Sequence, residues 1–298
     1  MRTTILAALL ASVAAMPAAA DWRTEFPTIR WGMSASESEE ERRARYGPAT
    51  DYLSGALGVD VDVRVTADVA GVVEALLSRQ IEMFYFGPLG YATAWDVTDG
   101  NLVPMVSNLD SFGDWGYRGT IIVATDSDIQ TLEDLEGRSF AFSDPGSTSG
   151  YLIPQFLFRE MGITPDSFFS EVAFSGGNNN SVFGVVNGTF DSAASWEQTP
   201  ERSVPGRMVE RGLIEPDSTR VIWYSDIIPG AVIGARADLP AEMIEDIRAV
   251  MEALPTDSPE ALAAMSDGQA SGMRTVTHAD YETIVEMRRL DQQMRRGE

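Results

Sequence analysis

The chain has 298 residues, of which 44% are hydrophobic, and this is enough for a buried core and suggests two domains of ordinary size. It contains no cysteine and a single histidine, His278, which excludes disulfides, thiol catalysis, thiolate metal sites and histidine-cluster metal sites. The net charge of −23 disfavours binding to nucleic acid or to anionic lipid surfaces.

Residues 1–20 have the pattern of a secretory signal peptide. Arg2 precedes an apolar run from Ile5 to Met16, and three alanines end at Ala20. The run is too short to cross a bilayer, and no later run approaches the roughly 18 apolar residues that a membrane span needs. No cysteine is present to carry a lipid anchor. We therefore expect cleavage after Ala20 and a protein without a lipid anchor in the periplasm of a double-membraned bacterium.

Strand and helix patterns alternate through the first half of the mature chain. The strict alternation of residues 59–65 is typical of a half-buried strand, and residues 37–57 predict a helix that is broken near Gly47 and Pro48. Further strands are predicted at 28–33, 81–86, 102–106 and 119–124, and further helices at 69–77 and 89–95.

A second set of alternating elements follows. Strands are predicted at 139–142, 172–174, 190–195, 221–224 and 231–236, and helices at 132–137, 151–160, 180–187, 241–254 and 281–295. We expect strand 231–236 to pair with strand 119–124. The chain is then an α/β protein with mostly parallel sheets flanked by helices, in which lobe 1 (21–127 plus 228–298) is interrupted by lobe 2 (128–227).

The turn between strand 139–142 and helix 151–160 carries three consecutive hydroxyl residues, Ser147, Thr148 and Ser149. The first turn of a helix leaves backbone N–H groups without partners and points the positive end of its dipole outward. The turn is therefore either an N-cap cluster that starts the helix or a site that surrounds a tetrahedral oxyanion. The overall negative charge does not exclude an anion, because surface charges beyond about 8 Å are largely screened at physiological salt.

Several segments, in order, resemble one family. They are Tyr46-Gly47-Pro48, Gly87-Pro88-Leu89-Gly90-Tyr91, the run from Asp144 to Pro154, Val186-Asn187-Gly188 and the run from Ile222 to Pro229. The chain resembles the phosphonate/phosphite-binding periplasmic proteins of ABC transporters over nearly all of its mature length. The resemblance implies a two-lobed venus-flytrap fold of the type II periplasmic-binding-protein class, a ligand in the interlobe cleft, and delivery to a membrane permease. We expect a monomer.

The resemblance also implies roles for individual residues. Ser147, Thr148 and Ser149 match the ligands of the phosphonate oxygens, and Tyr91 and Tyr46 match tyrosines of the cleft. Glu197 and Asp226 match carboxylates that meet the amino group of a ligand, and Asn178 takes the place of a histidine that the family usually has.

Each of these side chains has a simpler interpretation that stays open. The two tyrosines are also plausible packing aromatics, Asp226 a turn residue, and Asn178 part of a loop that ends in a helix cap. Tyr85 is predicted to lie in the core because it is in the middle of a strand, and His278 to be solvated because it lies in a polar run.

The leading functional prediction is a binding protein for phosphonate import, with 2-aminoethylphosphonate as a candidate if Asp226 and Glu197 both face the cleft. The alternative keeps the fold and binds phosphite, hypophosphite, a sulfonate or another small anion. A hydrolase with Ser147 or Ser149 as nucleophile is disfavoured, because neither a histidine base nor a metal cluster is evident near the turn. We expect no enzymatic activity, no cofactor and no metal.

Overall fold

The computed structural model describes residues 21–34, 39–110 and 112–296. The predicted signal peptide, residues 1–20, lies outside the described residues. Within the described ranges, no helix combines the length and the hydrophobicity that a membrane span requires.

Helices and strands alternate from the start of the described chain, as the sequence patterns predict. Up to residue 124 the order is α1 (Trp22–Glu25), β1 (Thr28–Ser34), α2 (Glu39–Leu57), β2 (Asp60–Thr66), α3 (Val69–Leu77), β3 (Met83–Phe86), α4 (Pro88–Val97), β4 (Leu102–Asp110) and β5 (Tyr117–Ala124).

A short 3-10 helix, Glu133–Leu135, opens the second part of the chain. The elements that follow are β6 (Ser139–Phe142), a π-helical turn (Thr148–Leu152), α5 (Ile153–Glu160), α6 (Pro165–Phe168), β7 (Glu171–Phe174), α7 (Asn178–Val186), β8 (Ser192–Glu197), α8 (Val204–Glu210), β9 (Thr219–Ile228), β10 (Val232–Arg236), α9 (Ala241–Asp257), α10 (Pro259–Met265), β11 (Ala270–Thr275), a 3-10 helix (His278–Tyr281) and α11 (Glu282–Arg295).

Lobe 1 is built on a six-stranded sheet with the order β11-β4-β10-β3-β1-β2. Strand β1 runs parallel to β2 and β3, whereas β10 is antiparallel to β3 and β4, and β11 is antiparallel to β4. One face of the sheet packs against α2, α9 and α10, and the other packs against α3 and α4. The five residues of β10 are all buried, as expected of a central strand that is covered on both faces.

Lobe 2 is built on a five-stranded sheet with the order β7-β6-β8-β5-β9. Strands β6, β7 and β8 are parallel neighbours, and β5 is antiparallel to both β8 and β9. Aromatic side chains of β6 pack against α5 on one face, and small residues of β8 pack against α7 and α8 on the other. Both lobes therefore have a sheet between two layers of helices.

The sheets differ from the prediction in two respects. Each sheet is mixed rather than mostly parallel. Strand β10 does not pair with β5, because β10 lies between β3 and β4 while β5 lies between β8 and β9 of the other sheet. Both strands are apolar, and an apolar strand does not reveal its partners. The chain therefore crosses between the two sheets once between β4 and β5, with residues 112–116 in the first crossing segment, and again at residues 229–231 between β9 and β10.

The predicted break in α2 does not occur. The helix continues through Gly47 and Pro48, where the hydroxyl of Thr50 donates to the carbonyl of Gly47 at 2.9 Å. Strand β11 and the short helices α1, α6, α8 and α10 were not predicted, because they are short and lack a clear apolar period.

Candidate ligand-binding cleft

A cleft of about 450 Å³ separates the two lobes, and side chains of both lobes line it. Lobe 1 contributes residues of α2, of the start of α4 and of the end of β4. Lobe 2 contributes the turn before α5, the first residue of α7 and the end of β8 with the segment that follows it. The volume is within the usual range for small-molecule sites.

The turn with the three hydroxyl residues lies at this cleft. Ser147 precedes the π-helical turn Thr148–Leu152, and its Oγ accepts a hydrogen bond from the backbone N–H of Gly150 at 3.0 Å. Ser147 is therefore the N-cap, as one of the two interpretations predicted, and it lines the cleft as well. A hydroxyl oxygen that accepts a hydrogen bond still has its own hydrogen to donate.

Thr148 joins the two lobes. Its Oγ1 accepts a hydrogen bond at 2.9 Å from the backbone N–H of Leu89, in the first turn of α4. Gly87 and Pro88 at the start of α4 also line the cleft, so two helix N-termini from opposite lobes meet there. Ser149 is 2% exposed and faces the same space. The positive ends of two helix dipoles converge where the hydroxyls lie.

Three tyrosines line the cleft, and two of them were not predicted there. Tyr46 of α2 lies at the predicted place, with its ring centroid 6.3 Å from that of Tyr85, a residue predicted to lie in the core. Burial raises the pKa of Tyr46, and it raises the pKa of Tyr117 to about 12, although hydrogen bonds from Thr148 and Ser149 oppose the latter shift. Tyr46 and Tyr117 are consequently neutral at pH 7 and can donate hydrogen bonds.

Tyr91 lies outside the cleft. It is fully buried in lobe 1, and its hydroxyl is 3.0 Å from Nδ1 of His278. Tyr91 begins the second turn of α4 and faces the sheet, where its ring packs against those of Phe84 and Tyr281. Of the two interpretations that the sequence left open for Tyr91, a cleft tyrosine or a packing aromatic, the structure therefore agrees with the second.

His278 is half-buried rather than solvated, because its ring stacks on that of Trp95 with centroids 3.6 Å apart. Burial lowers the pKa of His278.

The three remaining predicted residues are placed differently from one another. Asn178 is the first residue of α7 and lines the cleft, and its buried side-chain carbonyl oxygen has no hydrogen-bond partner among the described residues. Glu197 borders a second cavity of about 380 Å³, where its Oε1 accepts a hydrogen bond from the hydroxyl of Tyr224 at 3.0 Å. Asp226 is exposed on β9 and does not line the cleft.

Four arginines that the sequence interpretation missed also line the cleft. Arg42 and Arg45 lie on the same face of α2 as Tyr46, and Arg202 and Arg207 come from lobe 2. The arginines at 42, 43 and 45 form a basic run in a very acidic chain, and this run could have indicated a site for an anion. The local sequence around Arg202 and Arg207 contains no comparable indication. Asp110 and Asp267 are the carboxylates among the described residues that line the cleft, so its ionised side chains have an excess of positive charge.

The ionisable residues of the cleft do not resemble a metal site. In the described part of the chain, no group of three or more histidine, aspartate and glutamate side chains is placed to hold a metal ion. Hydroxyl, amide and guanidinium groups dominate the lining instead, and these groups donate hydrogen bonds to anions.

The model of one protein family matches residues 31–281, and it describes the periplasmic phosphonate substrate-binding proteins of ABC transporters. The chain belongs to this family. The family assignment agrees with the resemblance found in the sequence motifs, and it makes the chain a periplasmic binding component of transport. The phosphate-import protein PhnD of Mycolicibacterium smegmatis is 27% identical over 276 residues, which cover 87% of this chain and 84% of PhnD.

Solved structures of such periplasmic binding proteins share the fold. A binding protein component of an ABC phosphonate transporter from Pseudomonas aeruginosa superposes with a TM-score of 0.75 at 22% identity, covering 90% of this chain and 87% of that protein. PhnD1 from Prochlorococcus marinus, in complex with methylphosphonate, superposes with a TM-score of 0.73 at 17% identity, covering 89% and 98%. The predicted two-lobed fold of the type II periplasmic-binding-protein class is thereby confirmed.

Proposed function

We propose that this protein captures a phosphonate for an ABC importer and that the phosphonate oxygens are held by Ser147, Thr148 and Ser149. One observation carries the proposal: three consecutive hydroxyls at a helix N-terminus border the cleft between the lobes. Hydroxyl hydrogens and free backbone N–H groups are suitable donors for a tetrahedral oxyanion, and the helix dipole adds a favourable field.

The other side chains of the cleft support an anionic ligand. Tyr46, Tyr85 and Tyr117 present phenolic hydroxyls, and Asn178 presents an amide that can turn its NH2 group towards the ligand. The excess of arginine over aspartate makes the cleft locally positive although the chain as a whole has a charge of −23. Local charge has more effect than the distant surface charges because these are screened at physiological salt.

The organic group attached to the phosphorus of the phosphonate is a separate part of the proposal. A specific contact with the amino group of 2-aminoethylphosphonate needs carboxylates beside the bound phosphonate. Glu197 borders the smaller cavity and Asp226 is exposed, so the two predicted residues do not support that ligand over a simple alkylphosphonate. Phosphite, hypophosphite, sulfonates and phosphate remain the alternatives, and the name of the M. smegmatis relative favours including phosphate.

We also propose that the protein acts as a monomer and that its ligand-bound, closed form docks on a membrane permease. The hydrogen bond from Leu89 to Thr148 joins the lobes directly beside the proposed phosphonate site. A ligand that binds both sides of this contact would favour the closed form over the open one. No catalytic step is included, since His278 contacts Tyr91 and Trp95 outside the cleft.

Isothermal titration of the purified mature protein tests the proposal. We expect binding of methylphosphonate and a loss of about ten-fold or more in affinity in Ser149→Ala, because a hydrogen bond to a charged group contributes about 1.5–3 kcal/mol. Phosphite, hypophosphite, phosphate, methanesulfonate and 2-aminoethylphosphonate complete the panel and decide which anion is preferred.

The control is Ser127→Ala, outside the cleft, where Ser127 Oγ accepts from the N–H of Ile129 at 3.2 Å. It should lower stability by about 1 kcal/mol and leave ligand affinity unchanged. The absence of heat with every anion of the panel would reject the proposed function.

A further inference from the structure

Arg207 has an unusual environment for a charged residue. Its guanidinium lies 4.6 Å from the ring centroid of Trp196 and borders the cleft. No carboxylate among the described residues lies within 4.0 Å of it. Burial lowers the pKa of Arg207, Asp267 opposes that shift, and repulsion by Arg211 and Arg45 adds to it. A desolvated charge without an ion pair is unfavourable unless a ligand completes its contacts.

Arg45 faces Arg207 from the other lobe. Arg45 is on α2 of lobe 1 and forms an ion pair with Asp267 at 2.7 Å. Arg211 of lobe 2 is also 3.5 Å from Asp267, which leaves this carboxylate shared between the lobes. Two positive charges on opposite walls of a cleft repel each other and oppose its closure. An anion between them would attract both and favour closure.

The second carboxylate of the cleft is also engaged. Asp110 Oδ1 accepts hydrogen bonds from the backbone N–H groups of Phe112 at 2.8 Å and Asp114 at 2.9 Å. Its Oδ2 is 3.8 Å from Arg202. Four arginines and two aspartates leave two positive charges in excess along the cleft. That excess adds to the hydroxyl and N–H donors that already surround the proposed phosphonate position.

We propose that the physiological ligand is a phosphonate that carries a second anionic group, a carboxylate or another phosphonate, which is bound by Arg207. This inference rests on the proposed function, because the first anionic group occupies the turn with Ser147, Thr148 and Ser149. A carboxylate or a phosphonate can accept two parallel hydrogen bonds from one guanidinium. A cleft of about 450 Å³ has room for both groups.

The test compares four ligands by isothermal titration of the full mature protein. Propylphosphonate and 3-phosphonopropionate have the same length and differ in the terminal group, which is a methyl in one and a carboxylate in the other. Propane-1,3-diphosphonate provides the second phosphonate, and 2-aminoethylphosphonate provides a cation instead. We expect at least one of the two doubly anionic ligands to bind about ten-fold or more tightly than propylphosphonate.

Variants of Arg207 test whether this residue causes the difference in affinity between the doubly anionic ligands and propylphosphonate. Arg207→Gln should remove the advantage of the doubly anionic ligand over propylphosphonate. Because the loss of one positive charge from the cleft weakens propylphosphonate as well, the measured quantity is the ratio of the two affinities. Arg207→Lys keeps the charge and should retain part of the advantage, which a merely structural role in stacking on Trp196 would not produce.

The outcomes separate the two proposals. If propylphosphonate binds wild-type protein as tightly as both doubly anionic ligands do, the inference is wrong and the proposed function stands. If Arg207→Gln keeps the full advantage, the second group is not bound by Arg207 and the inference is wrong. If none of the four ligands binds but methylphosphonate does, the inference is wrong and the proposed function stands. If methylphosphonate and the other anions of the first panel also fail to bind, the proposed function is rejected as well.

Discussion

At the scale of single residues, the contact between Tyr91 and His278 is an internal polar pair in a largely apolar cluster. The Tyr91 hydroxyl and His278 Nδ1 are 3.0 Å apart, and the imidazole stacks on Trp95. Burial lowers the pKa of His278, so the folded protein favours the neutral ring. The pair links α4, whose first turn borders the cleft, to the 3-10 helix His278–Tyr281.

This pair predicts a pH dependence of stability. A histidine with a lowered pKa in the folded state contributes stability that is present above its unfolded pKa of about 6.5 and is lost as the pH falls through the folded pKa. We expect the urea midpoint of wild-type protein to decrease between pH 7.5 and pH 5.5. Because the chain has no other histidine and most carboxyls titrate near pH 4, His278→Phe should show a much smaller decrease.

The control for this prediction is Tyr91→Phe/His278→Phe, which removes the hydroxyl that His278→Phe leaves without its partner. Its midpoint should be equally insensitive to pH in this range. An unchanged pH response in both variants would show that another group titrates.

At the scale of an element, the turn from β6 into α5 is packed too tightly for any residue except glycine at position 150. A Cβ added to Gly150 would overlap the side chain of Ser143 and lie 2.8 Å from Ser147 Oγ. Ser143 is 1% exposed at the end of β6 and is held by the backbone of the same turn, since its N–H donates to the carbonyl of Gly150 at 2.9 Å. The close approach positions Ser147, Thr148 and Ser149 relative to the sheet.

Substitution of Gly150 should therefore disturb both stability and binding. We expect Gly150→Ala to lower the free energy of unfolding by about 1–3 kcal/mol, the usual cost of overpacking, and to weaken phosphonate binding. Urea denaturation followed by tryptophan fluorescence measures the first effect and titration calorimetry the second.

A compensating substitution tests the cause. Ser143→Gly removes the side chain that the new methyl group would meet, so Ser143→Gly/Gly150→Ala should recover part of the lost stability. Equal stability of wild-type protein and Gly150→Ala would contradict the packing argument.

At the scale of the whole molecule, two crossing segments connect the lobes, and on the cleft side a hydrogen bond and the ion pair between Asp267 and Arg211 bridge them. Gly116, in the first crossing segment, has φ +99°, and an added Cβ there would lie 2.5 Å from the carbonyl oxygen of Ile228 near the second crossing. On the cleft side, the N–H of Leu89 donates to Thr148 Oγ1. We expect this contact to break when the lobes separate.

The side chain of valine has nearly the shape of that of threonine, so Thr148→Val leaves the Leu89 N–H without its acceptor and changes the packing little. We expect the closed form to be less favourable by about 1–3 kcal/mol, because a buried donor without a partner carries its desolvation cost. Small-angle X-ray scattering without ligand should then give a larger radius of gyration than for wild-type protein. Thr98→Val, at the C-terminal end of α4, is the matched control and should leave the scattering unchanged.

The fold was predictable to the extent that local patterns determine it. Local sequence patterns are sufficient to predict the alternating strand β2 and the amphipathic helix α3, whereas the partners of β5 and β10 depend on contacts between residues at least 69 positions apart. Similarly, Tyr46 and Tyr91 both matched family motifs, and only one lines the cleft. The partner of Tyr91 is 187 residues away, so no local pattern could distinguish the two.

One cluster of apolar side chains joins the lobes and includes Leu89 and Ile284 of lobe 1 and Leu152 and Phe156 of lobe 2. Separation of the lobes that pulls these side chains apart would bring hydrocarbon surface into contact with water. The force that opposes such exposure weakens on cooling. A cold environment would therefore keep a larger fraction of empty molecules open than a warm one, and the heat capacity should decrease when a ligand closes them.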